Sequence, residues 1–130
     1  MTTYLLDTNV LIEFLKGKPP AGSAIVRLLD RGAVLASCSV TVAEFYSGEV
    51  PGRQPVWDSF IAGLEFWANT FEDAIEAGNY RRDFSRRGIQ LSVTDTLVAA
   101  TARHMGATLL TENLKDFPMT DIQVVSLAEA

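Results

Sequence analysis

The stretch Tyr4-Leu5-Leu6-Asp7-Thr8-Asn9-Val10-Leu11-Ile12 constrains this chain more than any other, because an apolar run ends at an acid and a helical spacing starts at once. Thr3-Tyr4-Leu5-Leu6 is short enough for a parallel strand covered on both faces, and Val10, Leu11, Phe14 and Leu15 then recur with helical period. Asp7 consequently falls at the carboxyl edge of a sheet, where strand-to-helix loops converge and open α/β sheets bind ligands. A lone Asp at such a junction also reads as a helix N-cap. Its meaning depends on which other acids reach it.

The alternation continues along the chain. A helix from about Thr8 to Lys16 stops at Gly17-Lys18-Pro19-Pro20, and a second, Ala21 to Arg31, carries Ile25, Leu28 and Leu29 on one face and ends at Gly32. Val34 to Val40 reads as a strand, and Thr41 as the cap of a helix containing Glu44 and Phe45 that ends near Gly48. Pro51-Gly52 and Pro55 mark a loop. Trp57, Phe60, Ile61, Leu64 and Trp67 then form an amphipathic stripe over Val56 to Trp67, destined for the core or for a homodimer or partner interface. A short strand is expected at Asn69 to Phe71, a helix from Glu72 to about Arg87, and an Ala-rich helix from Asp95 to Met105 with Gly106 as its stop. Thr108 to Thr111 and Ile122 to Leu127 read as the last strands, with a loop from Glu112 to Phe117. Strands alternating with helices predict an α/β protein, a central parallel sheet flanked by helices on both faces. A chain of 130 residues, 48% of them hydrophobic, suits one domain spanning 1–130.

The charge balance, 11 Lys and Arg against 16 Asp and Glu for a net −5, argues against a nucleic-acid binder steered by overall charge. A local patch can still hold a phosphate backbone. Four of the eleven basic residues, Arg81, Arg82, Arg86 and Arg87, crowd the end of one helix, with Tyr80 and Phe84 interleaved. They form either a solvated face or the contacts of a site that takes a polyphosphate. The single Cys38 rules out an internal disulfide and a Cys-based zinc site, and its apolar surroundings place it in the core. Asp7 breaks the N-terminal apolar run, so no signal peptide is expected, and no segment is long enough to span a bilayer; the expected location is cytoplasmic.

Four acids fall at related topological positions. Asp7 follows the first strand, Glu44 lies one turn into the helix after the second, Asp95 opens a helix, and Asp116 follows the Thr108 to Thr111 strand. Each alone reads as a cap or a solvated residue. Gathered at one end of a sheet they repel, by roughly 3 kcal/mol for a pair about 5 Å apart at an effective dielectric of about 20. A divalent cation is the natural counter-charge, and oxygen ligands without His or Cys select Mg²⁺ or Mn²⁺ over zinc. Carboxylate-held ions suit phosphodiester hydrolysis without a side-chain nucleophile. The only histidine, His104, lies nine positions beyond Asp95 and reads as structural or exposed, which leaves a His-dependent hydrolase poorly supported.

Four blocks carry a resemblance: Leu6-Asp7-Thr8-Asn9-Val10-Leu11-Ile12, Thr41-Val42-Ala43-Glu44-Phe45, Thr94-Asp95-Thr96-Leu97-Val98-Ala99-Ala100-Thr101-Ala102 and Leu110-Thr111-Glu112-Asn113-Leu114-Lys115-Asp116-Phe117. In this order and spacing they resemble the signature blocks of PIN domains, with the nearest likeness to the VapC-type toxins of toxin–antitoxin pairs. The resemblance covers nearly the whole chain. It implies a three-layer α-β-α fold, Mg²⁺- or Mn²⁺-dependent endoribonuclease activity on RNA, homodimerisation, and neutralisation by a VapB-type antitoxin that also binds operator DNA. Asp7, Glu44 and Asp95 match the family's three core acids and Asp116 the fourth. Glu112, in the same loop, is the alternative fourth acid, although the Asp116-Phe117 pairing favours Asp116. Asn9 and Thr111 match polar positions that orient the acids. The arginines match no block.

Two other readings compete. An aspartyl-phosphate phosphatase would also place Asp7 after a first strand, but Asn9 occupies the place of its second Asp. A PIN-like binding subunit would act mainly in an antitoxin–operator DNA complex, with little nuclease activity.

Overall fold

The computed structural model describes residues 2–48 and 54–130. Five parallel strands, β1 (Thr3–Leu6), β2 (Val34–Cys38), β3 (Glu65–Trp67), β4 (Thr108–Leu110) and β5 (Gln123–Val125), form one sheet in the order β3-β2-β1-β4-β5. In register, Leu5 pairs with Ala36 on one side and Leu109 on the other. Successive residues on these strands serve opposite faces. Leu5, Ala36, Cys38 and Leu109 enter one core with Tyr80, Phe84, Val98 and Ala99, whereas Leu6, Leu35 and Leu110 enter another with Val10, Ile25, Phe45 and Trp57. Helices α1 (Thr8–Leu15), α2 (Ala21–Asp30), α3 (Ser39–Ser47) and α4 (Pro55–Gly63) belong to the second layer, and α5 (Phe71–Ser85) and α6 (Val93–His104) to the first. The three-layer α/β architecture expected from the alternation is therefore present.

Several boundaries differ from the sequence expectation. The third strand lies at Glu65–Trp67 rather than Asn69 to Phe71, and the stripe helix ends at Gly63. Leu64 and Trp67 keep the three-residue spacing of the helix by coincidence, so the periodicity runs past the true end. Trp57, Ile61 and Trp67 do enter the cores. Strand β2 stops at Cys38, and Thr41 is the third residue of α3 rather than its cap: its hydroxyl accepts from the Cys38 N–H at 3.0 Å. Helix α6 starts at Val93, because Ser92 takes the cap by accepting from the Asp95 N–H at 3.1 Å. Helix α5 ends at Ser85, leaving Arg86 and Arg87 beyond it. The last strand is shorter than expected, and a 3-10 turn at Leu114–Asp116 interrupts the loop before it. Pro55 is the first residue of α4; the Pro51-Gly52 loop lies outside the described residues.

Glycine closes α6 as the sequence suggested. Gly106 takes a φ of 63°, which lets the Ala107 N–H reach back to the Ala102 carbonyl at 2.9 Å and turns the chain into β4. Among the described residues, no helix is long and apolar enough to cross a membrane.

Candidate active site

Asp7 leaves β1 and caps α1 with extended backbone angles, φ −70° and ψ 159°. Its N–H still donates to the Leu110 carbonyl at 3.0 Å, so pairing with the neighbouring strand continues up to the acid. One carboxylate oxygen accepts from the Thr8 N–H at 2.9 Å. The other accepts from Asn9 Nδ2 at 3.1 Å and from the Thr111 hydroxyl at 2.8 Å. Asp7 is 6% exposed, and all three of these donors are neutral. Burial pushes its pKa above the ordinary carboxylate value; the three donors oppose this, and the Glu44 charge adds to it.

Glu44, half-buried on α3, accepts from the Thr8 hydroxyl at 2.9 Å. Thr8 therefore joins two acids, giving its N–H to Asp7 and its hydroxyl to Glu44. Sequence reasoning overlooked Thr8; its place directly after Asp7 was the available signal. Asp95 lies in the first turn of α6, half-buried. Burial raises its pKa, the Ser92 contact lowers it, and the charges of Asp7 and Asp116 raise it again. Asp116 sits half-buried in the 3-10 turn after β4. Asp7 thus lies within electrostatic reach of Glu44, and Asp95 within reach of both Asp7 and Asp116. Among the described residues, however, no three His, Cys, Asp or Glu side chains stand close enough to hold a metal ion as they are.

The supporting polar residues meet at Asp7. Asn9 donates to Asp7 and takes the Glu112 N–H on its side-chain oxygen at 3.1 Å. Thr111, fully buried, donates to Asp7 and accepts from the Asn113 N–H at 3.0 Å. The Glu112 carboxylate is directed elsewhere, accepting from the Leu127 N–H at 2.8 Å.

The arginine cluster divides. Arg81 is anchored through Nε to the Leu91 carbonyl at 2.9 Å, and Arg82 through Nη2 to Asn79 at 3.0 Å. Both line an open cavity of about 310 Å³ with Gly78, Ser85 and Gln90. Arg87 lies 4.6 Å from the centre of the Phe84 ring, and Arg86 is exposed beyond α5. Tyr80 and Phe84 are buried in the core, so the interleaved aromatics are not displayed alongside the arginines. His104 is structural: its Nδ1 lies 2.5 Å from an oxygen of the buried Asp73.

A parallel sheet bearing carboxylates at its carboxyl edge is the architecture of a PIN domain, and the chain belongs to that family, with residues 4–122 matching it. It is similar to the ribonuclease VapC2 of Haemophilus influenzae, 30% identical over 122 residues that cover 90% of this chain and 91% of the relative. It is also similar to the ribonuclease VapC19 of Mycobacterium tuberculosis, 30% identical over 118 residues, 88% of this chain and 92% of the relative. Among solved structures, the DNA-bound VapBC of Salmonella typhimurium superposes with a TM-score of 0.79 at 27% identity, covering 98% of this chain and 99% of that one. The likeness to VapC-type PIN domains read from the four blocks is borne out.

Proposed function

We propose that the chain is a metal-dependent endoribonuclease, the toxin of a toxin–antitoxin pair, with Asp7, Glu44, Asp95 and Asp116 as the acids that hold the metal. The observation that carries this reading is the placement of the acids: Asp7 is buried at the carboxyl edge of the sheet, and the Thr8 that donates to it also holds Glu44 beside it. Relatives whose own names are ribonuclease VapC support the activity. The donor set is all carboxylate oxygen, which fits Mg²⁺ or Mn²⁺ and not a thiolate or imidazole metal. When bound, such an ion supplies charge neutralisation and activation of water for in-line attack on a phosphodiester.

The chain's own residues do the rest. Thr8, Asn9 and Thr111 fix the Asp7 carboxylate in one orientation, and Thr8 keeps Glu44 beside it. Arg81 and Arg82, already anchored on one side, offer their remaining donors to RNA phosphates, with Arg86 and Arg87 as outer contacts. A VapB-type antitoxin is the proposed partner, with operator DNA reached only through it; the DNA-bound VapBC relative supports this. A homodimer in the cytoplasm is the proposed state.

Cleavage of structured RNA in Mg²⁺ or Mn²⁺ tests the reading, with Asp7→Asn and Asp95→Asn as controls. Undiminished cleavage by both variants would sink the site assignment. One second reading is a PIN-like subunit that acts in an operator complex with little turnover, which the DNA-bound VapBC relative favours. Operator binding without growth arrest on expression would select it.

A further inference from the structure

We propose that Glu112 is a positioning residue of the acidic site, which ties the loop carrying Asp116 to the C-terminal segment and is not itself a metal ligand. This rests on the reading of the site given above. Where the chain leaves β4, backbone and side chains secure it at several points. The Thr111 N–H donates to the Val125 carbonyl at 3.0 Å, the Glu112 N–H to Asn9, and the Asn113 N–H to the Thr111 hydroxyl. The Glu112 side chain alone among these reaches past β5, where it accepts the Leu127 N–H at 2.8 Å.

Leu127 makes a firm post. It is 1% exposed and packs in the core that holds Leu6, Val10 and Leu110, while the Ser126 N–H beside it is held by Glu129 at 2.9 Å. The far end of the loop is fixed by Phe117, which is buried in the core on the opposite face of the sheet. Between these anchors runs one tight turn, closed by the Asp116 N–H to the Asn113 carbonyl and the Phe117 N–H to the Leu114 carbonyl. Asp116 is therefore strung between the two cores, with Glu112 fastening one end. From this loop, the charge felt at Asp95 is that of Asp116. The Glu112 oxygen that meets Leu127 fixes the direction of the side chain toward the C-terminal segment.

The tie needs an acceptor and no charge, because a Gln oxygen accepts the same N–H. A metal ligand in this set needs the charge. Glu112→Gln, Glu112→Ala and Asp116→Asn separate the two roles when measured by amide hydrogen exchange at Leu127 and by calorimetric titration with Mn²⁺. Glu112→Ala is expected to speed Leu127 exchange and weaken Mn²⁺ binding, each by about tenfold, as the loss of one partly buried hydrogen bond allows. Glu112→Gln is expected to restore both, whereas Asp116→Asn weakens Mn²⁺ binding and leaves Leu127 protected. Two results would overturn the proposal: Glu112→Gln binding Mn²⁺ as poorly as Asp116→Asn with Leu127 still protected, or Glu112→Ala leaving Leu127 exchange unchanged. Should the wild-type protein bind no Mn²⁺, the metal-site reading fails while Leu127 exchange still judges the tie.

Discussion

Asp7 and Asp73 are the same residue in almost the same setting, each buried at the start of a helix, 6% and 3% exposed. Their partners differ. Asp73 sits in a capping box with Thr70, its oxygens taking the Thr70 N–H at 3.0 Å, the Thr101 hydroxyl at 3.1 Å and His104 Nδ1 at 2.5 Å. A protonatable base thus completes its surroundings. Asp7 has three neutral donors and faces further acids, Glu44 and Asp95. A buried carboxylate surrounded by donors from its own scaffold is satisfied within the fold, whereas one that shares its surroundings with other acids is not. The difference supports reading Asp73 as architecture and Asp7 as part of the proposed cation site.

The largest expected effect falls on the Asp7 side. Asp7→Asn or Asp95→Asn should lower the rate of RNA cleavage in Mn²⁺ by about 10³-fold, the scale of removing a principal electrostatic group from an active site. Initial rates on labelled RNA read this directly, and a loss under tenfold would erase the contrast. Next is the architectural side: Asp73→Ala should destabilise the fold by about 2–4 kcal/mol in urea unfolding, since it strips a cap and leaves buried donors unpaired. Cleavage per folded molecule should stay the same. A collapse of turnover in protein that remains folded would show that Asp73 belongs to the chemistry.

Smaller effects sharpen the same picture. Arg81→Ala or Arg82→Ala should weaken RNA binding by roughly threefold to tenfold and reduce the salt slope by about one unit each, the signature of one phosphate no longer neutralised. Binding titrations at several salt concentrations check this. The smallest effect concerns stability and pH. Because the folded protein raises the pKa of Asp95, its proton is held more tightly folded than unfolded. That contribution is present in full only below the ordinary value of 3.8 and is lost as pH rises through the raised one. Metal-free Asp95→Asn should therefore be more stable than wild type at neutral pH, by roughly half a kcal/mol given solvent screening at a half-exposed group. The advantage should vanish as acid protonates Asp95, which melting curves across pH would show.

Much of this was legible in the order of residues. The strand, acid and helix at Leu6-Asp7-Thr8 is a local signal, and the alternation of apolar runs with helical spacing is enough to specify a covered parallel sheet. Local signals also misled where two periods overlapped, as in the Leu64 and Trp67 spacing that hid the end of α4 and moved β3. Interactions between residues far apart in the chain left no such trace. The Thr8 hydroxyl meets Glu44 and Glu112 meets Leu127 only after the sheet has formed. The Thr70-Phe71-Glu72-Asp73 cap lies where a strand at Asn69 to Phe71 was expected, and its completion by His104 requires α5 and α6 to pack.

The most direct measurement is anomalous diffraction from crystals soaked in Mn²⁺. The expected result is an ion between Asp7 and Asp95, with Asp116 and Glu44 drawn toward it and none at Asp73. Manganese at Asp73, or none between Asp7 and Asp95 at saturating concentration, would contradict the claim that these acids form one cation site.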